Sequence, residues 1–127
     1  MDFAKLPFAF HALIETAAAI SFIFNPDKQL PGCDAATRLV LRQYGGLLLS
    51  TNLICLAVLA EPGVTNMTRL LAATLGSYHI WPCYRAYIRI RHNVGVSGVA
   101  KSALGGPRLH LIVHIACLAM FMWACVS

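Results

Sequence analysis

Apolar residues fill four long runs of this chain, and loops rich in proline, glycine and polar residues separate the runs. The runs cover about residues 5–24, 37–60, 67–90 and 108–126. As helices that rise 1.5 Å per residue, each can cross a hydrocarbon core of roughly 30 Å. The pattern predicts an all-α membrane protein in which residues 1–127 form a single domain, a four-helix transmembrane bundle.

The third predicted span contains a proline, Pro82, in its interior. Proline has no backbone N–H, and its ring clashes with the carbonyl of the residue four positions earlier, here Tyr78. We therefore predict that the third helix is kinked at Pro82.

Composition supports the membrane interpretation and narrows the partners. Of 127 residues, 58% are hydrophobic and 12% are charged, whereas about a quarter are charged in soluble domains. The net charge of +5 is better explained by membrane flanks than by nucleic acid, because no basic stripe is interleaved with aromatic residues. Eight of the ten Lys and Arg residues fall on the side of the first and third loops. The positive-inside rule therefore predicts that both termini are lumenal.

The first span carries two polar residues, His11 and Glu15, which lie four apart on one helix face. A carboxylate at mid-membrane costs about 2.5–3.5 kcal/mol on insertion scales, so such a group normally faces a bundle interior or a wet cavity. A buried, unpaired carboxyl favours its neutral acid form, which a general acid requires. We predict Glu15 as the catalytic acid, with His79 or His11 to orient it or take the proton back. Alternatively, Glu15 pairs with Arg42 or Arg85 and fastens the helices together.

Other polar and aromatic residues on the remaining spans form a column that opens to the cytosolic leaflet, and we predict that they bind substrate: Arg42, Asn52, Tyr78, Trp81, Arg85 and His114. The two arginines would hold polar parts of the substrate, and the aromatic faces would shield a developing cation. Simpler roles remain open for two of them. Asn52 can serve as interhelical hydrogen-bond glue, and Trp81 as a packing or interfacial belt residue.

Metal and cofactor motifs are the next alternative. The histidines and Glu15 offer ligands, but di-iron bundles use Glu-x-x-His, whereas here the order is His-x-x-x-Glu with one acid at membrane depth. No phosphate-binding loop, dinucleotide-binding turn or nucleophile elbow occurs in the sequence. We therefore expect no metal and no cofactor.

Four segments carry a family resemblance: HALIE at 11–15, LRQYGGLLLSTNLICL at 41–56, YHIWPCYR at 78–85 and LHLIVHIACL at 109–118. They resemble a group of small four-span proteins of fungi and bacteria. In size and in its intramembrane acid, the chain is similar to small integral-membrane proteins of fungal secondary-metabolite pathways. The resemblance implies acid/base catalysts that open, rearrange or cyclise epoxides on prenylated scaffolds. It implies no substrate and no residue roles.

Two functions of different classes follow. The first is a cofactor-independent membrane isomerase or cyclase that acts by acid/base chemistry on a lipophilic natural-product intermediate, in the endoplasmic reticulum membrane. The alternative is a non-enzymatic membrane carrier or assembly partner whose polar core is structural. The adjacent Gly45 and Gly46 allow close helix approach, so a homodimer is a further expectation.

Overall fold

A computed structural model of the chain describes residues 2–93 and 106–127. Within them the chain is helical and contains no strand, which confirms the all-α class. A single 3₁₀ turn, Phe3–Lys5, precedes the first α-helix. The α-helices are α1 (Leu6–Phe24), α2 (Pro26–Gln29), α3 (Ala35–Ala60), α4 (Asn66–Tyr78), α5 (Ile80–Arg91) and α6 (Gly106–Val126).

Three helical segments have the length and apolar composition needed to cross a membrane: Phe3–Phe24, Ala35–Ala60 and Gly106–Val126. Their outward faces carry large apolar side chains, and Leu13, Leu53 and Ile112 are each more than 60% exposed. Several buried positions are instead polar or ionisable, among them His11 and Glu15. This distribution, apolar outside and polar inside, is the one that a lipid environment favours.

The predicted third span is two helices rather than one, with the interruption at His79. The His79 N–H bonds to the Gly76 carbonyl at 3.0 Å, a tighter turn than an α-helix makes, and α5 begins at the next residue. Pro82 offers no N–H to the Tyr78 carbonyl, which removes one of the bonds that would join the two helices. With 13 and 12 residues, α4 and α5 are each shorter than a bilayer core is thick. A kink at Pro82 itself stays a prediction.

The buried face of α1 organises the interior. After the adjacent Pro7 and Phe8, its buried residues recur every three or four positions, at His11, Glu15, Ala19 and Phe22. At one end, Phe8 meets Phe121 of α6 edge to face, with ring centroids 5.2 Å apart. At the other end, Ala19 and Phe22 pack with Leu48 of α3. The two polar residues of α1 therefore lie between two apolar clusters.

Close backbone contact joins α1 to α3 at Gly45. A Cβ atom at this position would lie 2.8 Å from Ile23 Cγ1 and 3.0 Å from the Ala19 carbonyl oxygen. Gly46 faces open space, with nothing within 4 Å of such an atom. The glycine pair thus serves a contact within the chain at its first position, and the homodimer stays a prediction.

Contacts at the helix ends gather both termini of the described chain on one side. The Lys5 ammonium donates to the Glu61 carbonyl in the α3–α4 turn. Near the same turn, the Arg69 guanidinium donates to a Ser127 oxygen at 3.0 Å. Both ends of the described chain thus lie beside the α3–α4 connection.

The loop between α1 and α3 is fixed by two acids. Asp34 caps α3 by accepting from the Thr37 N–H at 2.7 Å. Asp27 pairs with the Arg38 guanidinium at 2.9 Å. The hydrogen bond from Arg38 holds the pKa of the Asp27 carboxyl below its ordinary range.

Candidate functional site

Four ionisable side chains from three parts of the chain meet in the interior, and we call them the polar layer: His11 and Glu15 of α1, His79 between α4 and α5, and His114 of α6. Each is at most 3% exposed. His11 and Glu15 come together because four residues make about one helical turn. His79 reaches them because α4 ends at Tyr78, and His114 reaches them because α6 packs against both α1 and α5.

The three histidines form a hydrogen-bonded chain. His11 Nδ1 lies 3.1 Å from His79 Nε2, and His79 Nδ1 lies 2.7 Å from His114 Nδ1. At the far end, His11 Nε2 lies 3.4 Å from the Thr51 hydroxyl oxygen. That hydroxyl donates to the Leu48 carbonyl at 2.8 Å, so it accepts from His11. One proton on each neutral ring then satisfies the whole chain.

Glu15 has an asymmetric environment. Its Oε2 accepts from the Tyr78 hydroxyl at 3.4 Å, and this hydroxyl lies 2.8 Å from that of Tyr44. Its Oε1 is buried and has no hydrogen-bond partner among the described residues. The nearest histidine nitrogen to Oε1 is His114 Nδ1 at 3.9 Å. An unsatisfied buried acceptor costs roughly 1–3 kcal/mol, so this oxygen favours a bound proton or ligand.

The ion pair that would make Glu15 a structural fastener is absent from the described part of the chain. Arg42 donates from Nε to the Ile23 carbonyl at 3.2 Å. The Arg85 guanidinium instead lies 3.2 Å from His110 Nε2. Neither arginine forms a salt bridge with Glu15 within the described residues.

A cavity of about 510 Å³ adjoins the polar layer between α1, α5 and α6. Most of its wall is apolar, and its polar wall residues are Glu15, Tyr44, Tyr78, Arg85, His110 and His114. Its size and lining match sites for small, largely apolar molecules. Three of its wall residues, Phe10, Leu13 and Leu109, are exposed on the outer faces of their helices. The cavity therefore reaches the surface that lipid would cover.

Of the residues predicted to form a site, Glu15, Tyr78, Arg85 and His114 line this cavity. His11 and His79 contact one another in the polar layer but are not part of the cavity wall.

Three other predicted residues lie apart from the cavity. Trp81 is 71% exposed and borders a second depression on the outer face. Arg42 is exposed beside the end of α1. The Asn52 amide donates to Thr16 Oγ1 at 2.8 Å, which is the interhelical role that its simpler interpretation gives it.

Two wall residues were not predicted as site residues. His110 lies four positions before His114, and this spacing puts both on one face of α6, so the sequence did contain its signal. Tyr44 reads as an ordinary aromatic packing residue. Its role depends on the 2.8 Å contact with Tyr78 of another helix, which no local pattern indicates.

Two imidazole nitrogens and one carboxylate oxygen, from His11, His79 and Glu15, lie within 4.8 Å of one another and could hold a metal ion. Comparison of the chain with known protein families, with curated proteins and with solved structures finds no match. The function is therefore argued from the site.

Proposed function

We propose that this chain is a membrane isomerase or cyclase that acts on a lipophilic natural-product intermediate by acid/base chemistry, without a redox cofactor. The reaction is the opening, rearrangement or cyclisation of an epoxide. The observation that carries the proposal is the Glu15 carboxyl, which lines an apolar cavity and keeps one buried oxygen without a hydrogen-bond partner. Such a carboxyl favours its neutral acid form, because no arginine or lysine of the described residues forms a salt bridge with it.

Entry from the bilayer is supported by the shape of the cavity. Its wall includes exposed apolar side chains of α1 and α6, so a molecule dissolved in lipid reaches it sideways without crossing water. Arg85 and His110 lie 3.2 Å apart in the wall and offer a cation and an imidazole to a polar group of the substrate. The apolar body of the substrate would fill the remaining volume.

In the proposed reaction the Glu15 proton moves to the epoxide oxygen as one C–O bond breaks, which leaves a hydroxyl group and a carbocation on the substrate. Phe22, Tyr44 and Tyr78 line the cavity, and their aromatic rings would stabilise that cation. The cation is consumed when a neighbouring carbon loses a proton, or when a substrate hydroxyl adds and releases its proton. Glu15 takes that proton back, so the product is an isomer and the acid is regenerated.

The three histidines of the polar layer act through Glu15 rather than on the substrate. His114 lies nearest to the unpartnered oxygen, and His79 and His11 follow behind it in the hydrogen-bonded chain. We assign His79 and His11 as positioning residues that hold His114 and the carboxyl in place. The sequence predicts that His79 or His11 orients Glu15 or takes the proton back, and the proposal keeps the orienting role for both.

The proposal includes four membrane crossings, with α4 and α5 together forming the third, and lumenal termini in the endoplasmic reticulum. It is supported by the contacts that gather both ends of the described chain beside the α3–α4 turn, and by the excess of basic residues on the opposite side. Glycosylation acceptors inserted after residue 127 should be modified, and those inserted at residues 27–32 should not. The reverse pattern would refute the orientation.

One observation favours a carrier instead. A laterally accessible apolar cavity with polar groups in its wall would also hold a lipophilic molecule that leaves unchanged. Binding without any product in the assay below, with an equal affinity in Glu15→Gln, would favour this alternative.

The test uses microsomes that contain the chain and a panel of prenylated epoxides, with product detected by mass spectrometry as an isomer of equal mass. Glu15→Gln keeps the shape of the side chain but removes the transferable proton, and should lower turnover by roughly 10²-fold or more. Glu61→Gln is the matched control, because that acid is exposed in the α3–α4 turn, and it should retain full turnover. Full turnover in a folded Glu15→Gln variant would refute the assignment.

A further inference from the structure

We propose that the polar layer binds a divalent transition-metal ion through His11 Nδ1, His79 Nε2 and a carboxylate oxygen of Glu15. The two nitrogens are 3.1 Å apart. One ligand atom from each of His11, His79 and Glu15 lies within 4.8 Å of the other two. With metal–nitrogen bonds of about 2.05 Å, two histidine ligands of one ion stand about 2.9–3.4 Å apart, depending on whether the angle is octahedral or tetrahedral. The histidine pair therefore already has the spacing of a ligand pair.

Hydrogen-bond acceptors behind the His11 and His79 rings hold both rings in the orientation that a metal requires. Metal-binding histidines usually donate their second N–H to a fixed acceptor, which sets the orientation of the ring. His11 Nε2 has such an acceptor in the Thr51 hydroxyl oxygen at 3.4 Å. His79 Nδ1 has one in His114 Nδ1 at 2.7 Å. The second nitrogen of each ring, His11 Nδ1 and His79 Nε2, is then left for the metal, and these two atoms lie 3.1 Å apart.

The carboxyl group supplies an independent indication of a ligand. Glu15 is 2% exposed, and its Oε1 has no hydrogen-bond partner in the described part of the chain. A cation beside this oxygen would satisfy it and would compensate the negative charge. The Tyr78 hydroxyl on Oε2 would orient the ligand from behind.

Two histidines and one carboxylate are a ligand set used by catalytic zinc sites and by non-haem iron sites. We commit to a borderline ion of this class, Zn²⁺ or Fe²⁺. Hard ions such as Mg²⁺ and Ca²⁺ prefer oxygen ligands, so the site should discriminate against them. Three protein ligands also leave coordination positions open, and Glu15, which lines the cavity, connects the site to it.

Proton positions follow from the same contacts. For His79 Nε2 to bind a metal, its proton must lie on Nδ1, where His114 Nδ1 accepts it, and His114 then carries its own proton on Nε2. All three rings stay neutral, and the acid proton of Glu15 leaves to solvent. The inference goes beyond the proposed function, and it adds one consequence. A metal-bound Glu15 cannot donate a proton, so bound metal should inhibit the isomerase.

The experiment uses the full chain, purified in mild detergent without a histidine tag and treated with a chelator. Co²⁺ serves as the probe, because its visible absorption reports nitrogen and oxygen coordination, and Zn²⁺ bound after dialysis is counted by elemental analysis. We expect one ion per chain, displacement of Co²⁺ by Zn²⁺, and no displacement by Mg²⁺. Glu15→Gln and His79→Asn should each lower the affinity by more than 10²-fold.

Two variants control for general effects. His110→Asn removes a histidine of the cavity wall that lies outside the ligand set, and its affinity should match that of the unmodified chain. Thr51→Val removes only the acceptor for His11 and should weaken binding about 10–100-fold, the usual effect of an outer partner.

If the ligand variants fail to fold, the unmodified chain still decides the question. Its melting temperature should rise with Zn²⁺ concentration and not with Mg²⁺ concentration. No Co²⁺ spectrum in the unmodified chain, or binding unchanged in folded Glu15→Gln and His79→Asn, would overturn the inference. Because metal binding is measured without substrate, a failure of the isomerase assay leaves this result intact.

Discussion

Two adjacent glycines of α3 provide a test of the packing between α1 and α3. A Cβ atom at Gly45 would lie 2.8 Å from Ile23 Cγ1 and 3.0 Å from the Ala19 carbonyl oxygen, whereas one at Gly46 would meet nothing within 4 Å. The Ile23 side chain can turn away. The Ala19 carbonyl cannot move without moving α1, so Gly45→Ala must push the two helices apart, and Gly46→Ala need not.

The difference between the two variants isolates the steric effect. Both substitutions gain the same helix propensity, about 1 kcal/mol, which cancels when one variant is compared with the other. Overpacking a closely packed contact costs about 1–3 kcal/mol. We therefore expect Gly45→Ala to be less stable than Gly46→Ala by about 1–3 kcal/mol.

The assay is unfolding of the full chain in mild detergent by added dodecyl sulfate, followed by helical circular dichroism. A thermal melt should place Gly45→Ala roughly 4 °C below Gly46→Ala for each kcal/mol of difference. Equal stabilities would refute the close α1–α3 contact. A lower stability of Gly46→Ala would refute it too, and would indicate that Gly46 packs against a second copy of the chain.

Two further substitutions test the core and the first loop. Phe121→Ala should lower the free energy of unfolding by about 2 kcal/mol. The substitution leaves an empty cavity in the core, and the cost of that cavity remains although lipid rather than water surrounds the protein. The Leu13 side chain is 72% exposed, so Leu13→Ala should have little effect on the free energy of unfolding. If Leu13→Ala and Phe121→Ala had equal effects in the same unfolding assay, the packing of Phe121 against Phe8 would be contradicted. Asp27 has a lowered pKa, so its pairing with Arg38 contributes stability above the ordinary carboxyl pKa of about 3.9, and the contribution is lost as pH falls through the folded value. Between about pH 5 and pH 3, the melting temperature should therefore fall more steeply with decreasing pH for the unmodified chain than for Asp27→Asn. Parallel curves for the two proteins would contradict this pairing.

The inward face of α1 is the part of the site that the sequence could predict. His11 and Glu15 are polar residues inside an apolar run, and their spacing of four fixes them on one face whatever the helix packs against. The helical class and three apolar spans likewise depend on local composition and length. Such features need no knowledge of neighbouring helices.

The partners of Glu15 could not be predicted in this way. Sequence reasoning offered Arg42 or Arg85, because opposite charges attract, but the contacts found are the Tyr78 hydroxyl and His114. Which side chains meet across helices depends on rotation and depth, and arginine side chains are long enough to reach other acceptors. Arg42 reaches a backbone carbonyl near the end of α1 instead.

Trp81 lies apart from the cavity that Tyr78 lines. In one continuous helix, residues three apart lie on nearly the same face, so Trp81 would accompany Tyr78. The helix is interrupted at His79, between the two, where the His79 N–H bonds to the Gly76 carbonyl in a tighter turn than that of an α-helix. Trp81 is exposed on the outer face, whereas Tyr78 lies at the cavity.

Two consecutive residues at the same break contribute to one site. In a continuous α-helix, neighbouring side chains point about 100° apart, so Tyr78 and His79 would face different surroundings. Here α4 ends at Tyr78 and His79 belongs to neither helix, and their rings lie 5.2 Å apart, one on the Glu15 carboxyl and the other in the histidine chain. Pro82, which withholds an N–H from the Tyr78 carbonyl, also lines the cavity. A lost backbone hydrogen bond thus accompanies the placement of two polar rings near one carboxyl group.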